Sequence, residues 1–245
     1  MRSKIIAIIF AGGSGVRMGA GKPKQFLEVN GKPIIIHTLD IFENHPDIDE
    51  IYVACKEEFI GKLHKMLGRF DITKVKDIVP GGSTGMGSIY NALVAAKEQN
   101  NEDAIVLIHD GVRPCINSLL IDKVVSEVQE KGAVATCTPL FETPIISRSG
   151  VVVEETPVRA ECYTAQAPQA FRLGEILEAH DSVRADNPDY RGIIDNCTLM
   201  HRLGREVAIV KGPRTNIKVT TPEDLYIFKA MIEYRETRDA FGMDN

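Results

Sequence analysis

Short apolar runs alternate with longer amphipathic stretches over the first part of the chain. The runs have the length of β-strands and are apolar almost throughout, as at residues 4–10 and 104–108. Continuous apolar runs are typical of strands that are buried on both faces of a sheet. The stretches between them repeat apolar residues at the spacing of helices. This rhythm predicts an α/β fold with a mostly parallel sheet flanked by helices.

The boundaries of the predicted elements follow from where each pattern starts and stops. Strands are predicted at residues 4–10, 51–55, 75–79, 104–108, 133–138 and 206–211. Helices are predicted at residues 33–42, 57–67, 88–97, 119–129, 174–184 and 196–203, with a last one from residue 222. Pro33 and Pro222 stand at helix starts, where the fixed φ of proline is favourable and its missing N–H costs nothing.

The rhythm changes at about residues 140–164, where apolar and polar residues alternate. Ser149-Gly150 in the middle of this segment suits a tight turn, so the pattern predicts an inserted β-hairpin arm. Such an arm needs a surface to pack on, which is either its own domain or a second subunit. The chain has no repeat or linker, so we predict one domain at residues 1–234 that includes the arm, followed by a tail at residues 235–245.

Composition narrows the class of protein. The 245 residues are 44% hydrophobic and 26% charged, which is enough to bury a core. The formal net charge of -5 argues against nucleic acid as the main partner, because such proteins carry a basic excess. The five cysteines include no C-x-x-C pair, which argues against a zinc ribbon and favours reduced thiols in the cytoplasm. No segment has the length of a membrane span, so we expect no membrane partner.

A glycine-rich loop follows the first predicted strand. It reads A-G-G-S-G-V-R-M at residues 11–18, and Lys24 follows closely. Glycines let the backbone approach a ligand and direct its amides at anionic oxygens. Met18 excludes the dinucleotide fingerprint because a third glycine is needed there, and Pro23 excludes a P-loop. The cations Arg17 and Lys24 beside backbone amides suit a triphosphate whose α-phosphate gains charge during attack.

This loop and the P-K-Q-F-L string at residues 23–27 resemble the nucleotidyltransferase family of methylerythritol-phosphate and ribitol-5-phosphate cytidylyltransferases. The similarity extends from residue 8 to about residue 228. The resemblance implies a Rossmann-like nucleotidyltransferase fold and transfer of a cytidylyl group from CTP with release of pyrophosphate. It further implies that Arg17 and Lys24 are catalytic. The loop residues that it assigns to phosphate binding are Ala11, Gly12, Gly13 and Gly15.

Two further strings carry the resemblance on the nucleotide side. Gly81, Gly82 and Ser88 match a segment that contacts the cytosine ring in the family, although Gly85 stands where the family usually has arginine. The string H-D-G-V-R-P at residues 109–114 follows an apolar strand, which is where ligand-binding residues are expected in open α/β sheets. Asp110 is the predicted ligand of Mg²⁺, which prefers oxygen atoms. Arg113 is predicted to bind the nucleotide by holding a phosphate, or else to orient Asp110.

The acceptor side of the resemblance is spread over the arm and the second half of the chain. It implies that Thr143 and Arg159 surround the acceptor's phosphate, with the arginine supplied by the second subunit of a homodimer joined through the arm. Lys218, in the string N-I-K-V-T, is assigned to catalysis and to the acceptor phosphate. Asp195 is an acceptor-binding candidate, and an N-cap of the following helix is an equally good interpretation.

The identity of the acceptor is the most open part of the prediction. The strings A-G-G and H-D-G-V-R-P resemble the ribitol-phosphate branch, so we favour D-ribitol 5-phosphate and a CDP-alditol product for a wall or capsule polymer. Ala167 and Ile194 replace threonines of the family pattern and fit neither branch well. The alternatives are 2-C-methyl-D-erythritol 4-phosphate, for isoprenoid synthesis, and a nucleotide-binding regulator without activity, which only Gly85 supports.

Overall fold

The computed structural model of the protein describes residues 2–13 and 23–240, and within them a seven-stranded sheet with the order β5-β4-β1-β6-β8-β7-β9. The strands are β1 (Ile5–Ala11), β2 (Glu28–Val29), β3 (Lys32–Pro33), β4 (Glu50–Cys55), β5 (Val75–Pro80), β6 (Ile105–Asp110), β7 (Ala133–Pro139), β8 (Tyr163–Arg172) and β9 (Ala208–Lys211). The helices are α1 (Ile34–Glu43), α2 (Glu57–Arg69), α3 (Gly85–Gln99), α4 (Ser118–Lys131), α5 (Leu173–Arg184), α6 (Asn196–Arg202) and α7 (Pro222–Ala240). The short β2 and β3 form a separate antiparallel pair.

The predicted mostly parallel sheet is confirmed. Strands β5, β4, β1 and β6 are parallel neighbours, and β7 and β9 form a further parallel pair. Successive residues of β1 point to opposite faces and both faces are covered. Ile5 and Ile9 pack in one core with α1, α2 and α4, whereas Ile6 and Ile8 pack in another with α3, α5 and α6. Burial on both faces is the physical reason for the continuous apolar runs.

The sequence pattern did not predict β8, which lies at residues outside every predicted element. This strand runs antiparallel between β6 and β7. Pro168 has no N–H for a ladder bond, which argues against an inner strand. The structure accommodates it because the register with β7 moves from Ala135 opposite Gln169 to Cys137 opposite Ala165. Pro168 falls within that irregularity and needs no N–H.

The arm turns back where it was predicted to turn, but it is not a paired hairpin. Gly150 has a φ of +72°, which suits a tight turn. The predicted strands on either side reduce to one isolated bridge between Ile146 and Glu155. Val151 and Val152 near the tip are 84% and 60% exposed. The alternating pattern gives one bridge and no strand ladder here, and among the described residues the valines near the tip remain largely uncovered.

The end of the chain is helical further than the sequence indicated. Residues 235–240 of the predicted tail continue α7, which packs Phe228 against Val112 and Val219. Residues 241–245 lie outside the described part of the chain. Among the described helices, none combines the length and the apolar character that a membrane crossing requires.

The sheet order places a cleft at the carboxyl ends of β1 and β6. After β1 the chain continues to β4 and β5 on one side, and later it places β6 on the other side of β1. The connections after β1 and β6 therefore leave in opposite directions, and ligands bind at such a switch point. Phe10 is paired with Asp110 in the ladder, so the glycine-rich loop and the predicted metal ligand emerge side by side.

Candidate active site

A cavity of about 590 Å³ opens at this switch point. Two glycine-rich segments, three lysines and one aspartate surround it. Its described lining residues are Phe10, Ala11, Gly12, Gly13, Lys24, Gln25, Lys56, Gly81, Gly82, Ser83, Thr84, Gly85, Ser88, Asp110, Val112 and Lys218. The structure thus brings together most of the residues that the sequence assigned to the nucleotide. Gly15 and Arg17 were also assigned there, and they lie outside the described residues.

Close packing explains why glycines line this cavity. A Cβ atom on Gly12 or on Gly81 would lie 3.0 Å from the Oγ of Ser88, and one on Gly82 would lie 2.7 Å from the carbonyl carbon of Gly87. Ser88 itself is 1% exposed, donates to the carbonyl oxygen of Thr84 at 2.9 Å and accepts from the N–H of Gly82 at 3.1 Å. The serine predicted to contact cytosine therefore also holds the glycine-rich segments together.

Lys24 is presented to the cavity by a short 3-10 turn, Lys24–Phe26. The neighbouring Gln25 is 1% exposed, and its Nε2 donates to the carbonyl oxygens of Ala11 at 2.8 Å and Gly13 at 3.3 Å. These bonds tie the turn to the end of β1. The Cε atom of Lys24 lies 3.9 Å from the position of a Cβ on Gly13. The predicted catalytic lysine and the predicted phosphate-binding backbone are thus neighbours.

Asp110 stands between two cations. Its Oδ1 is 2.6 Å from Lys218 Nζ, and its Oδ2 accepts a hydrogen bond from Arg113 Nε at 3.2 Å. Burial by itself would raise the pKa of this carboxyl group, but the nearby charges of Lys218 and Arg113 outweigh burial and lower the pKa below its usual value. Asp110 is therefore ionised at neutral pH, and it holds Lys218 in place at the cavity wall.

Asn216 links the two sides of the site. Its side chain is fully buried and donates to the carbonyl oxygen of Ala167 on β8 at 2.7 Å, and its own carbonyl oxygen accepts from Arg113 Nη1 at 2.6 Å. Lys218 follows on an extended segment between β9 and α7, which is anchored where the N–H of Val219 donates to the carbonyl oxygen of Val112. The N-I-K string therefore places its lysine through one side-chain and one backbone hydrogen bond of its asparagine.

A second cavity, of about 630 Å³, adjoins the first. The two share Phe10, Gly85, Asp110 and Lys218 as a common wall. Its described lining also includes Ile89, Ile108, Arg113, Leu140, Tyr163, Thr164, Ala165, Gln166, Ala167, Gln169, Ile194, Asp195 and Asn196. Arg113, assigned above to the nucleotide, lies on this second cavity and is absent from the described lining of the first. The reason is that its side chain turns across Asp110 towards Asn216.

Asp195 caps a helix and also lies on a cavity wall. It is the N-cap of α6, because its Oδ1 accepts from the N–H of Thr198 at 2.8 Å. It also lines the second cavity and accepts a hydrogen bond from Gln169 at 3.0 Å. Helix capping and a place on the cavity wall are therefore compatible at this residue.

Within one chain, the two acceptor contacts predicted on the arm lie outside both cavities. Thr143 and Arg159 are exposed and line neither cavity. Arg159 lies on a 3-10 turn, and its Nη1 donates to the carbonyl oxygen of Phe141 at 3.2 Å. The structure of one chain therefore does not bring these two predicted acceptor contacts to the site.

Two histidines near the site are buried and uncharged at neutral pH. Burial lowers the pKa of both His109 and His180 to about 4. Nε2 of His109 is 3.0 Å from the carbonyl oxygen of Arg113, so this ring supports the turn that carries Asp110 and Arg113. Neither histidine lines either cavity. Both histidines pack outside the cavities, and neither is placed to move a proton to or from a ligand in either cavity.

The donor set for a metal ion in the first cavity is small. Asp110 is the one carboxylate among its described lining residues, and Mg²⁺ is often held by one or two carboxylates together with substrate phosphates. A different group, His45, Asp47 and Asp122, lies near the start of β4, away from the carboxyl edge. The Nδ1 of His45 accepts from the N–H of Asp47 at 3.2 Å, and its Nε2 lies 3.1 Å from Oδ1 of Asp122. Asp110 fits a magnesium ion shared with phosphates, and the His45 group is better described as a histidine–carboxylate contact.

Sequence reasoning missed three residues of the site. Lys56 lines the first cavity directly after β4, and the strand-end rule that singled out Asp110 would have found it. Gln25 and Gln169 gave no such signal, because a buried glutamine is recognised by its hydrogen-bond partners. Those partners come from distant parts of the chain and are known only once it has folded.

Comparisons with known proteins agree with this geometry. Residues 5–234 match the family described as IspD, 2-C-methyl-D-erythritol 4-phosphate cytidylyltransferase. A ribitol-5-phosphate cytidylyltransferase of Streptococcus agalactiae serotype III is 45% identical over 240 residues, covering 97% of this chain and 99% of that protein. A 2-C-methyl-D-erythritol 4-phosphate cytidylyltransferase of Syntrophotalea carbinolica is 38% identical over 230 residues, covering 94% and 96%. The crystal structure of 4-diphosphocytidyl-2C-methyl-D-erythritol synthase from Anaerococcus prevotii superposes with a TM-score of 0.81 at 30% identity, covering 94% of this chain and 96% of that one.

Proposed function

The chain belongs to the 2-C-methyl-D-erythritol 4-phosphate cytidylyltransferase (IspD) family of nucleotidyltransferases, and on that basis we propose that it transfers the cytidylyl group of CTP to D-ribitol 5-phosphate. The products are a CDP-alditol and pyrophosphate. The single observation that carries the proposal is the wall shared by the two cavities, with Asp110 and Lys218 on it. Two anionic substrates must meet at one phosphorus atom, and a shared wall with a fixed cation supports that meeting.

The first cavity is the proposed CTP site. Backbone amides of Gly12, Gly13 and Gly15 hold the phosphates, and Gly81, Gly82 and Ser88 face the cytosine. Lys24 and Arg17 stabilise the charge that develops on the α-phosphate as its fifth bond forms. The buried position of Lys24, which is 8% exposed, supports this role, because a charge acts more strongly where water is excluded.

The second cavity is the proposed acceptor site. An oxygen of the acceptor's phosphate attacks the α-phosphorus of CTP, and the bond from that phosphorus to the β-phosphate oxygen breaks. The attacking phosphate is already an anion at neutral pH, so the reaction needs no general base. Lys218 holds this phosphate at the shared wall, Arg113 contacts it from the wall of the second cavity alone, and Asp110 keeps both cations oriented.

A divalent cation completes the proposed donor site. Asp110 and the phosphates of CTP would hold Mg²⁺, which when bound offsets the charge of the departing pyrophosphate. Lys218 contacts one oxygen of Asp110 and Arg113 the other, so these cations keep the carboxylate ionised and available as a ligand.

One observation favours the ribitol acceptor over methylerythritol phosphate. The ribitol-5-phosphate cytidylyltransferase of Streptococcus agalactiae serotype III is 45% identical to this chain, whereas the methylerythritol-phosphate relative of Syntrophotalea carbinolica is 38% identical. Ala167, on the wall of the second cavity, has no hydroxyl group where the family pattern has a threonine, and it fits neither branch well. The cytoplasm, which supplies CTP, is the proposed place of the reaction.

The arm supports a homodimer as the working unit. Val151, Val152 and Val158 on the arm are each at least 60% exposed, although valine is normally buried. Contact with a second copy would cover them. It would also allow Thr143 and Arg159 to approach the acceptor site of the partner subunit, which they do not approach in their own chain.

The proposal is tested by measuring pyrophosphate release from CTP and Mg²⁺ with each candidate acceptor. We expect turnover with D-ribitol 5-phosphate and at least a tenfold lower kcat/KM with 2-C-methyl-D-erythritol 4-phosphate. UTP in place of CTP is the matched donor control and should give little product. Turnover only with methylerythritol phosphate would contradict the acceptor assignment, and CTP binding without turnover on any acceptor would favour a regulator.

A further inference from the structure

Gln169 is a buried polar side chain at the wall of the second cavity with three hydrogen bonds. It is 5% exposed and lies on β8 opposite Ile108, two residues before Asp110 on β6. Its Oε1 accepts from the N–H groups of Asn196 at 3.1 Å and Cys197 at 3.2 Å. Its Nε2 donates to Oδ2 of Asp195 at 3.0 Å. Gln169 therefore joins a central strand to the first turn of α6.

The orientation of the Gln169 amide is set by the backbone. N–H groups can only donate, so the atom that faces Asn196 and Cys197 must be the oxygen. The amide nitrogen must then face Asp195, so these contacts fix which end of the amide is oxygen and which is nitrogen. The contact between Gln169 and Asp195 is consequently a directed N–H···O bond to a carboxylate, which is stronger than a bond between neutral groups.

Asp195 acts as an acceptor in every hydrogen bond that the described residues give it. Its Oδ1 accepts from the N–H of Thr198 at 2.8 Å and from the Thr198 hydroxyl at 2.6 Å. Its Oδ2 accepts from Gln169. A carboxylate has about four acceptor positions, so acceptor capacity remains on Oδ2 at the cavity wall.

The first turn of α6, next to the contact between Gln169 and Asp195, is held by buried hydrogen bonds. Oδ1 of Asn196 is 3.0 Å from Nε2 of the buried His180, and Nδ1 of His180 is 2.5 Å from the hydroxyl of Tyr190. His180 and Asn196 are at most 2% exposed. His180 bonds to the side chain of Asn196, and Gln169 bonds to the backbone of Asn196 and Cys197. These bonds fix the start of α6 and limit the rotation of the Asp195 carboxylate.

We infer that Gln169 is a positioning residue, which holds the Asp195 carboxylate so that its Oδ2 accepts a hydrogen bond from a hydroxyl group of the acceptor polyol. The inference deepens the proposed function and rests on it, because it needs a polyol in the second cavity. A polyol presents several O–H donors, and a fixed carboxylate is the strongest acceptor for them. Ala167 lacks a hydroxyl group, and Asp195 supplies a carboxylate on the wall of the same cavity.

The variant Gln169→Glu tests the inference because it keeps the shape of the side chain. One carboxylate oxygen of the glutamate still accepts from the two backbone N–H groups, while the other faces Asp195 with like charge and repels it. We expect the KM for D-ribitol 5-phosphate to rise about tenfold to a hundredfold, the range for losing a hydrogen bond to a charged group. The KM for CTP should change less than threefold.

A double-mutant cycle separates positioning from a general structural effect. Asp195→Asn keeps the helix cap and should itself raise the acceptor KM. Adding Gln169→Glu to Asp195→Asn should then change the acceptor KM by less than threefold, because the group through which Gln169 acts is already altered. Full additivity of the two changes would overturn the inference.

Gln166→Glu is the control for added charge, because Gln166 lies on the same strand and the same cavity wall. Its Nε2 donates to the carbonyl oxygen of Pro213 and its Oε1 accepts from Asn216, and among the described residues it makes no hydrogen bond to Asp195. An equal rise in acceptor KM in this control would mean that any added negative charge repels the acceptor phosphate, and the inference would be wrong. Calorimetric binding of the polyol phosphate with a non-hydrolysable CTP analogue gives the same comparison without turnover. Absence of turnover by the unaltered protein, with its acceptor binding intact, would instead overturn the proposed reaction.

Discussion

At the scale of single residues, burial decides which charged groups can take part in the chemistry. Lys24 and Asp110 are 8% and 5% exposed, yet both line the first cavity. The pKa of Asp110 is lowered because nearby cations outweigh the burial that would raise it. A protein with a net charge of -5 can therefore bind polyanions, because the relevant charge is local.

Lys24→Ala should separate catalysis from folding. The substitution removes the cation proposed to stabilise the α-phosphate, so kcat/KM for CTP should fall at least a hundredfold. The melting temperature should change by only a few degrees, which scanning calorimetry would measure. Lys65→Ala, at an exposed position on α2, is the matched control and should leave kcat/KM unchanged. A near-normal rate in Lys24→Ala would contradict the catalytic assignment.

The lowered pKa values of His109 and His180 predict how stability depends on pH. Their pKa is about 4 in the folded chain and near 6.5 when exposed, so the unfolded chain binds more protons between these values. Stability should therefore fall as the pH decreases from about 6.5 towards 4. Each histidine contributes a slope of up to about 1.4 kcal/mol per pH unit. Urea unfolding at several pH values measures this slope, and His180→Phe should have a smaller one. An unchanged slope in that variant would mean that His180 is not buried in its neutral form.

At the scale of elements, the start of α3 and the course of β8 shape the site. The first turn of α3 is packed against both glycine-rich segments. Ser88 leaves no room for a Cβ atom on Gly12 or Gly81, and Gly87 leaves none on Gly82. The antiparallel direction of β8 brings its first half to the carboxyl edge of the sheet, where residues 164–167 and Gln169 line the second cavity. A parallel strand in the same place would have brought its carboxyl-terminal end, and therefore different residues, to the second cavity.

Two glycines at α3 should respond in opposite ways to alanine. Gly82→Ala places a Cβ 2.7 Å from the carbonyl carbon of Gly87 and should lower the free energy of unfolding by about 1–3 kcal/mol. Gly85→Ala meets nothing within 4 Å and lies in the first turn of a helix, so it should be neutral or stabilise by up to about 1 kcal/mol. Urea denaturation of both variants measures the difference. Equal destabilisation would show that close packing is not what requires Gly82.

At the scale of the whole molecule, the arm is the part whose apolar side chains remain exposed in a single chain. It has one isolated bridge and a series of exposed valines, and it carries Thr143 and Arg159 away from both cavities. A second subunit would cover the valines and give the two polar residues a ligand to contact. The proposed catalytic unit is therefore larger than the chain.

Replacing Val151, Val152 and Val153 together by serine should weaken the dimer. The three side chains are 58–84% exposed in one chain, so the change should affect association more than the fold. Sedimentation equilibrium should show dissociation at lower protein concentration, and the acceptor KM should rise with it because Arg159 of the partner is lost. Far-ultraviolet circular dichroism should remain unchanged. Retention of the dimer would contradict the role of the arm.

The sequence by itself determined the parallel half of the sheet, the glycine-rich loop and the strand-end Asp110, because each follows from a local pattern. A continuous apolar run indicates a strand that is buried on both faces of the sheet. A residue at the end of such a strand lies at the carboxyl edge of the sheet, independently of the rest of the fold. The family also followed from the sequence, since its motifs are contiguous.

Only the tertiary structure decided β8, the cavity to which Arg113 belongs and the hydrogen bonds of Gln169. Pro168 argues against β8 in any local pattern, because it is accepted only where the register with β7 shifts. The side chain of Arg113 is turned away from the first cavity towards Asn216, which is 103 residues away in the sequence. Gln169 and Asp195 are 26 residues apart and meet because α6 packs against the sheet. Such contacts depend on the packing of distant segments, which no local pattern in a single sequence records.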